Sequence, residues 1–291
     1  MRQLAITALA LVSGCKLVDA PMSLFGLGRS DHRMVLAYWG GESEVNPVGG
    51  YLEGQGWLSD SECLEFIGKG MKIDLVKLGV GKVGTFTVDR FLPPSEEPPD
   101  EGTVYARGAV KTREEGDSGS EPIIGVFDPG IEPPKTEVIS PDNETYQKAA
   151  RDFLKGQGLK EKDLKGMFVS QVVKVDLEGD GTDEVFISVQ SSENYLTDFW
   201  EEEGGKLYSY LFMRKVVNGK VQTFVLYGEQ YPRGGDVGMT LVFKLAGFWD
   251  LDGDGALEVI TDESYYEGFA FGIYSFEDGE FFYRTGWGIG V

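Results

Sequence analysis

The sequence predicts a mainly β fold: a small N-terminal β-rich domain, then a C-terminal domain of two four-stranded repeats with one packed helix. Three observations carry this. Runs such as 71–78, 208–217 and 269–276 are rich in β-branched and aromatic residues. A nine-residue loop of alternating acids and glycines occurs twice, at 176–184 and 250–258, its copies starting 74 residues apart. Two-residue turns, Asn218-Gly219 and Asp278-Gly279, each lie between strand-like runs, which is a strong hairpin signal.

The first fourteen residues carry Arg2, an apolar run over 4–11 and then small residues, the pattern of a secretory signal peptide. The ending Val12-Ser13-Gly14-Cys15 resembles the bacterial lipobox. That resemblance implies cleavage before Cys15 and acyl chains on its sulfur and amine. Several chains give stable anchoring, at about 0.8 kcal/mol per buried CH2. No other stretch is long enough to cross a bilayer. The expected location is therefore the bacterial envelope, on the outer membrane or cell surface, with the lipid as the only contact with the membrane. Cys63 is the only other cysteine. If Cys15 is acylated, no disulfide can form within the chain. The formal charge is −21, and removing residues 1–14 takes away Arg2 alone, leaving −22. Such a surface argues against nucleic acid and anionic lipid head groups as partners.

Residues 15–33, with Pro21, Gly26 and Gly28, read as a tether. The single histidine, His32, falls at its end between Asp31 and Arg33 and reads as a solvated residue. Residues 34–91 read as the small β-rich domain. The run 34–39 is strand-like, and 60–67 is a short helix capped by Ser59 or Asp60. Cys63 sits in that helix beside Leu64, Phe66 and Ile67, so the expectation is a buried, inert thiol. The stretch Gly79-Val80-Gly81-Lys82-Val83-Gly84 spells a dinucleotide fingerprint. The fingerprint requires a helix to start there, and β-forming Thr85-Phe86-Thr87-Val88 follows instead, so a hairpin turn is expected. Residues 92–140 are punctuated by Pro93-Pro94, Pro98-Pro99 and Pro133-Pro134 and read as a linker. Within it, 105–110 and 123–127 could be strands returning to the first domain.

The C-terminal domain spans 141–291. It opens on a helix starting at Ser140-Pro141-Asp142. Tyr146, Ala149, Ala150, Phe153 and Leu154 form its apolar face, and Gly156 and Gly158 stop it. The two acidic loops follow. Positions 1, 3, 5 and 9 are Asp176, Glu178, Asp180 and Glu184 in the first copy, and Asp250, Asp252, Asp254 and Glu258 in the second. Glycine fills positions 4 and 6 in both. Carboxylates so close repel one another unless a cation joins them, and Ca2+ takes six to eight oxygens in a flexible site. An EF-hand is excluded: it needs Glu at position 12, which is Ile187 in one copy and Thr261 in the other, and helices on both sides. The flanks here are β-forming.

Strand, acidic loop, strand, with the pattern Asp-x-Asp-x-Asp-Gly-x-x-Asp, resembles the FG-GAP or VCBS-type repeat, similar to the calcium loops of integrin α-subunit propellers. The resemblance covers about residues 168–291. It implies that each unit is a four-stranded, propeller-blade-like sheet holding Ca2+, two sites in all. Side-chain oxygens would come from the four acids of each loop, and backbone carbonyls from Thr182 and Ala256. Position 9 is Glu rather than Asp in both copies, and position 3 of the first is Glu178; the first site would then bind more weakly. Two blades cannot close a ring. The alternatives are a two-blade assembly capped by the helix, or a larger array with further blades within 34–130.

Functional classes separate partly. A serine hydrolase lacks Gly-x-Ser-x-Gly and a well-placed base, and zinc chemistry lacks His or Cys clusters. The expectation is a non-enzymatic, calcium-binding, lipid-anchored envelope protein acting as a binding or adhesion module for a protein or carbohydrate. A structural envelope protein with purely stabilising calcium is the alternative, and an unrecognised hydrolase a lesser one. Tyr195, Trp200, Tyr265, Tyr266 and Phe269 follow the acidic loops and are the candidate stacking residues if exposed, core packing being the commoner fate of such side chains.

Overall fold

The two acidic loops lie at one end of consecutive antiparallel meanders, and the layers around these meanders position them. The computed structural model describes residues 32–38, 44–92, 105–112, 123–128, 131–198, 205–232 and 240–290. Strands β1 (His32–Tyr38), β2 (Glu44–Leu52), β3 (Gly56–Leu58), β4 (Lys72–Lys77), β5 (Gly81–Leu92), β6 (Tyr105–Thr112) and β7 (Ile123–Phe127) form the first sheet, in the order β1-β7-β4-β5-β6-β2-β3. β1 also pairs with β2. Strands β8 (Thr136–Ile139), β9 (Phe168–Val175), β10 (Glu184–Gln190), β11 (Leu207–Val217) and β12 (Lys220–Tyr231) form the second, in the order β12-β11-β10-β9-β8. Strands β13 (Val242–Trp249), β14 (Glu258–Tyr265), β15 (Gly268–Glu277) and β16 (Glu280–Gly290) form the third, a simple meander. The fold is mainly β, with all pairings antiparallel, and among the described residues its α-helices are α1 (Asp60–Cys63), continued by a 3-10 turn (Leu64–Phe66), α2 (Glu144–Gly156) and α3 (Tyr195–Asp198).

The hairpin turns are as their sequences predict. Asn218 and Gly219 both have positive φ, as do Asp278 and Gly279, the geometry that suits the twist of the flanking strands. The fingerprint-like glycines make the β4–β5 hairpin, with no helix after them. The strands expected within 92–140 are β6 and β7, which join the first sheet. β8, from the same region, adds an edge to the second.

Three differences from the sequence reading have physical causes. His32 is buried within β1, its ring between Phe66 and Phe127 at 5.0 Å from each. It continues the inward-facing series of Met34 and Leu36, so the strand starts inside the segment read as a tether. Helix α2 starts later than expected, because the Asn143 side chain caps it by accepting from the Thr145 N–H at 3.0 Å. Pro141 thus precedes the helix. Strands β2 and β3 were not anticipated, since 46–50 contains Pro and two Gly. Those glycines serve close approach: a Cβ on Gly50 would lie 2.3 Å from the Arg33 carbonyl, and one on Gly49 would lie 2.1 Å from Thr285. Tyr195 takes the commoner fate of the aromatics after the acidic loops: it is buried, its hydroxyl donating to Glu229 at 2.5 Å.

The layers stack in one direction. The face of α2 carrying Tyr146, Ala149, Ala150, Phe153 and Leu154 covers one side of the second sheet, against Val172, Ile187, Val189 and Phe212. The other side of that sheet, with Val175, Leu177, Phe186 and Met213, packs on Phe243, Leu245, Phe248 and Val259 of the third. The far side of the third sheet, with Trp249, Leu251, Ile260 and Ile273, packs on Val35, Val48, Ile124 and Val126 of the first. Val175, Leu177 and Phe186 correspond through the repeat to Trp249, Leu251 and Ile260. The same face of each repeat therefore packs on the next layer. Residues Asp31–Val291 make one compact unit, and the segments 34–91 and 141–291 share this core. A second cluster fills the remaining face of the first sheet, including Cys63, whose thiol burial pushes up to about 12.

Polar contacts lock the second sheet to the third. The Gln171 side-chain amide donates to the Leu245 carbonyl at 3.1 Å, and its oxygen accepts from the Leu245 N–H at 2.8 Å, where β13 bulges. Gln171→Leu would leave both backbone groups buried and unpaired, so urea titration should show a loss of order 2 kcal/mol. An unchanged midpoint would mean that the bulge finds other partners.

Candidate metal centre

Both acidic loops fold alike, from the same local rules. The glycines at positions 4 and 6 all have positive φ: +67° and +83° for Gly179 and Gly181, +80° and +94° for Gly253 and Gly255. That conformation is strained for any residue with a Cβ, which is why both copies keep glycine there. Acid side chains then turn back onto the loop N–H groups. Asp176 accepts from Asp180 and Gly181 at 3.0 and 2.9 Å, and Asp180 accepts from Thr182 at 2.7 Å. In the second copy Asp250 accepts from Gly253 at 2.7 Å, Asp252 from Asp254 at 3.1 Å, and Asp254 from Ala256 at 2.8 Å.

Position 9 has a different task. Glu184 and Glu258 are buried at the first residue of β10 and β14. Each accepts from the N–H of position 2: Leu177 to Glu184 at 2.9 Å, and Leu251 to Glu258 at 2.7 Å. Each thereby closes its loop while the position 2 leucine enters the core. The loops also touch one another: the Leu257 N–H donates to the Leu177 carbonyl at 2.7 Å.

The copies differ in how their carboxylates converge. Asp250, Asp252 and Asp254 each offer an oxygen, all within 4.8 Å of one another, the one such group among the described residues. Glu258 lies behind them. Burial, together with the charges of Asp252, Asp250 and Asp254, raises its pKa to about 8. Asp252 is raised too, first by burial and then by its neighbours' charges. By charge and oxygen chemistry these three carboxylates are a group that could hold a metal ion. In the first loop, Lys215 contacts Glu178 Oε2 and lies 3.4 Å from Glu184 Oε1. Burial raises the pKa of Glu184, with Asp180 and Asp176 adding to the effect. Arg33 reaches the second loop from β1, donating to the Asp250 carbonyl at 3.0 Å and lying 3.4 Å from Asp128. Asp128 in turn accepts from Trp249 Nε1 at 2.9 Å. Neither basic residue was singled out in the sequence, because each arrives from a separate strand.

Of the other expected residues, Cys15 and Trp200 lie outside the described residues. Tyr266 is 52% exposed, while Phe269 packs partly into the core.

The sign of the pH dependence follows from Glu258. Its folded pKa of about 8 exceeds the ordinary 4.5, so the native state holds this proton longer than the unfolded chain. The resulting stability is complete below about pH 4.5 and is lost as pH rises through about 8. Chelator-treated protein should therefore lose stability across that window, and Glu258→Gln, which keeps an acceptor for Leu251, should flatten the slope. Urea midpoints at a series of pH values check this; an equal slope in the variant would mean that Glu258 ionises normally.

No family model matches this chain, nor does any curated protein or any solved structure.

Proposed function

We propose that this chain is a calcium-binding protein of the bacterial envelope, lipid-anchored through Cys15, and that its 250–258 loop holds the ion. The observation that carries the reading is the convergence of Asp250, Asp252 and Asp254 over two left-handed glycines. The ligands would be those three carboxylates, with Glu258 and the Ala256 carbonyl completing the set. Bound Ca2+ would supply the positive charge that three converging acids and a buried glutamate lack, and so fix the ends of β13 and β14.

The same reading treats the two meanders as blade-like repeats. Their stacking through equivalent faces supports this, since successive propeller blades also pack equivalent face to next neighbour. The module would act by binding rather than by catalysis. Exposed Tyr266 and Tyr283, the latter 60% exposed, offer ring faces to a carbohydrate or a protein. A purely stabilising role for the ion is the competing reading.

Calcium bound only by the native state stabilises by about 2.7 kcal/mol at a hundredfold excess over Kd. The melting temperature should rise with calcium and fall with chelator, and Asp254→Ala should remove most of that response. A parent protein with no heat of binding at millimolar calcium and no melting shift would end the calcium reading. For the anchor, Cys15→Ser should abolish incorporation of labelled fatty acid and release the protein from the membrane fraction. A variant that carried no label, had lost residues 1–14 and still sedimented with membranes would defeat it.

A further inference from the structure

We infer that the two acidic loops are served by different cations: the Lys215 ammonium is the resident cation of the 176–184 loop, and the 250–258 loop alone takes an added divalent ion. The inference rests on the calcium reading for the second loop only.

Glu184 is fully buried. Its Oε2 accepts from Leu177, but Oε1 has no hydrogen-bond partner among the described residues. A buried carboxylate oxygen without a donor is met either by a proton or by a cation beside it. Lys215 Nζ stands there at 3.4 Å and also contacts Glu178. These are positions 9 and 3 of the loop, two of the oxygens that a metal would need. The Lys215 side chain is 15% exposed, so its charge is screened little by water.

Strand register explains why the second loop differs. Val185 pairs with Arg214, so Lys215 is the next residue along β11 from the partner of the residue after Glu184. In the third sheet Val259 pairs with Tyr274, which puts Ser275 at the corresponding place. Ser275 carries no charge and bonds to Glu277, while Arg284 donates to Ser275 and pairs with Glu277. Arg33 reaches the second loop at position 1, 3.7 Å from Asp250 Oδ1, and lies over Gly253, but pairs with no other acid of that loop. Among the described residues, no ion pair reaches Asp252, Asp254 or Glu258. The second loop thus keeps its carboxylates gathered, whereas the first has a tethered ammonium inside its ligand set. A divalent ion entering the first loop would have to displace that ammonium against its charge.

Calorimetric titration with Ca2+ tests this by stoichiometry. The parent should bind one ion. Lys215→Ser, which copies Ser275, should bind two, and adding Asp180→Asn to it should return the count to one. Lys215→Arg, which keeps a cation on β11, should stay at one. Two ions in the parent, or a single ion in folded Lys215→Ser, would overturn the inference. If Lys215→Ser folds only with calcium present, that requirement itself supports a new ion in the first loop. A parent that binds none would defeat the calcium reading of the second loop instead. In that case one ion in Lys215→Ser, lost with Asp180→Asn, would still uphold the role of Lys215, and none would overturn it.

Discussion

The bond from the position 9 glutamate to the position 2 N–H is the constraint on which the loops, and through them the sheets, depend. Glu184 and Glu258 are the first residues of β10 and β14, and each holds the start of its own loop. Closing the loop sends Leu177 and Leu251 into neighbouring cores. One buried carboxylate therefore fixes an acidic turn, the hairpin that carries it and a core side chain. The arrangement places a carboxylate where water cannot reach it. Its charge must be met by a proton, an ammonium or a metal ion.

The stack of layers follows from that repeated unit. Because each repeat presents the same face onward, the third sheet is covered on both sides and has the second and first sheets as neighbours. Its strands are apolar on both faces for this reason. Val259 and Ile260, adjacent in sequence, enter different cores. Gln171 and Ser188 then set the slide between the second and third sheets, donating to carbonyls of β13 at 3.1 and 2.5 Å. Directional bonds of this kind specify one packing among the many that apolar surfaces alone would accept.

Where the copies diverge, the cause is the strand beyond the loop. Two nine-residue sequences that agree at positions 1, 2, 4, 5, 6 and 9 meet a lysine in one sheet and a serine in the next. Their carboxylates consequently converge in one copy and are drawn to an ammonium in the other. A loop motif thus describes the carboxylates on offer, while the strand paired beyond the loop, β11 or β15, decides which side chain stands beside them.

Local interactions determined much of this protein from sequence alone. Acids and glycines at fixed spacing dictate the loop turns, because the bonds involved run between residues two to seven apart. The Asn-Gly and Asp-Gly hairpins and the apolar face of α2 were legible for the same reason: backbone sterics and a 3.6-residue period need no distant partner. Tertiary structure alone decided the remainder. Arg33 meets Asp250 across 217 residues, and no periodicity records that contact. His32 lay beside two charged residues in sequence, yet strand alternation carries it between two phenylalanine rings. β2 was hidden by its proline and glycines; the glycines are there because the Thr285 side chain and the Arg33 carbonyl pass within van der Waals reach. The basic residue beside each loop, Lys215 or Arg33, belongs to this second class, since its placement depends on which strand lies next to the loop and not on the loop's own residues.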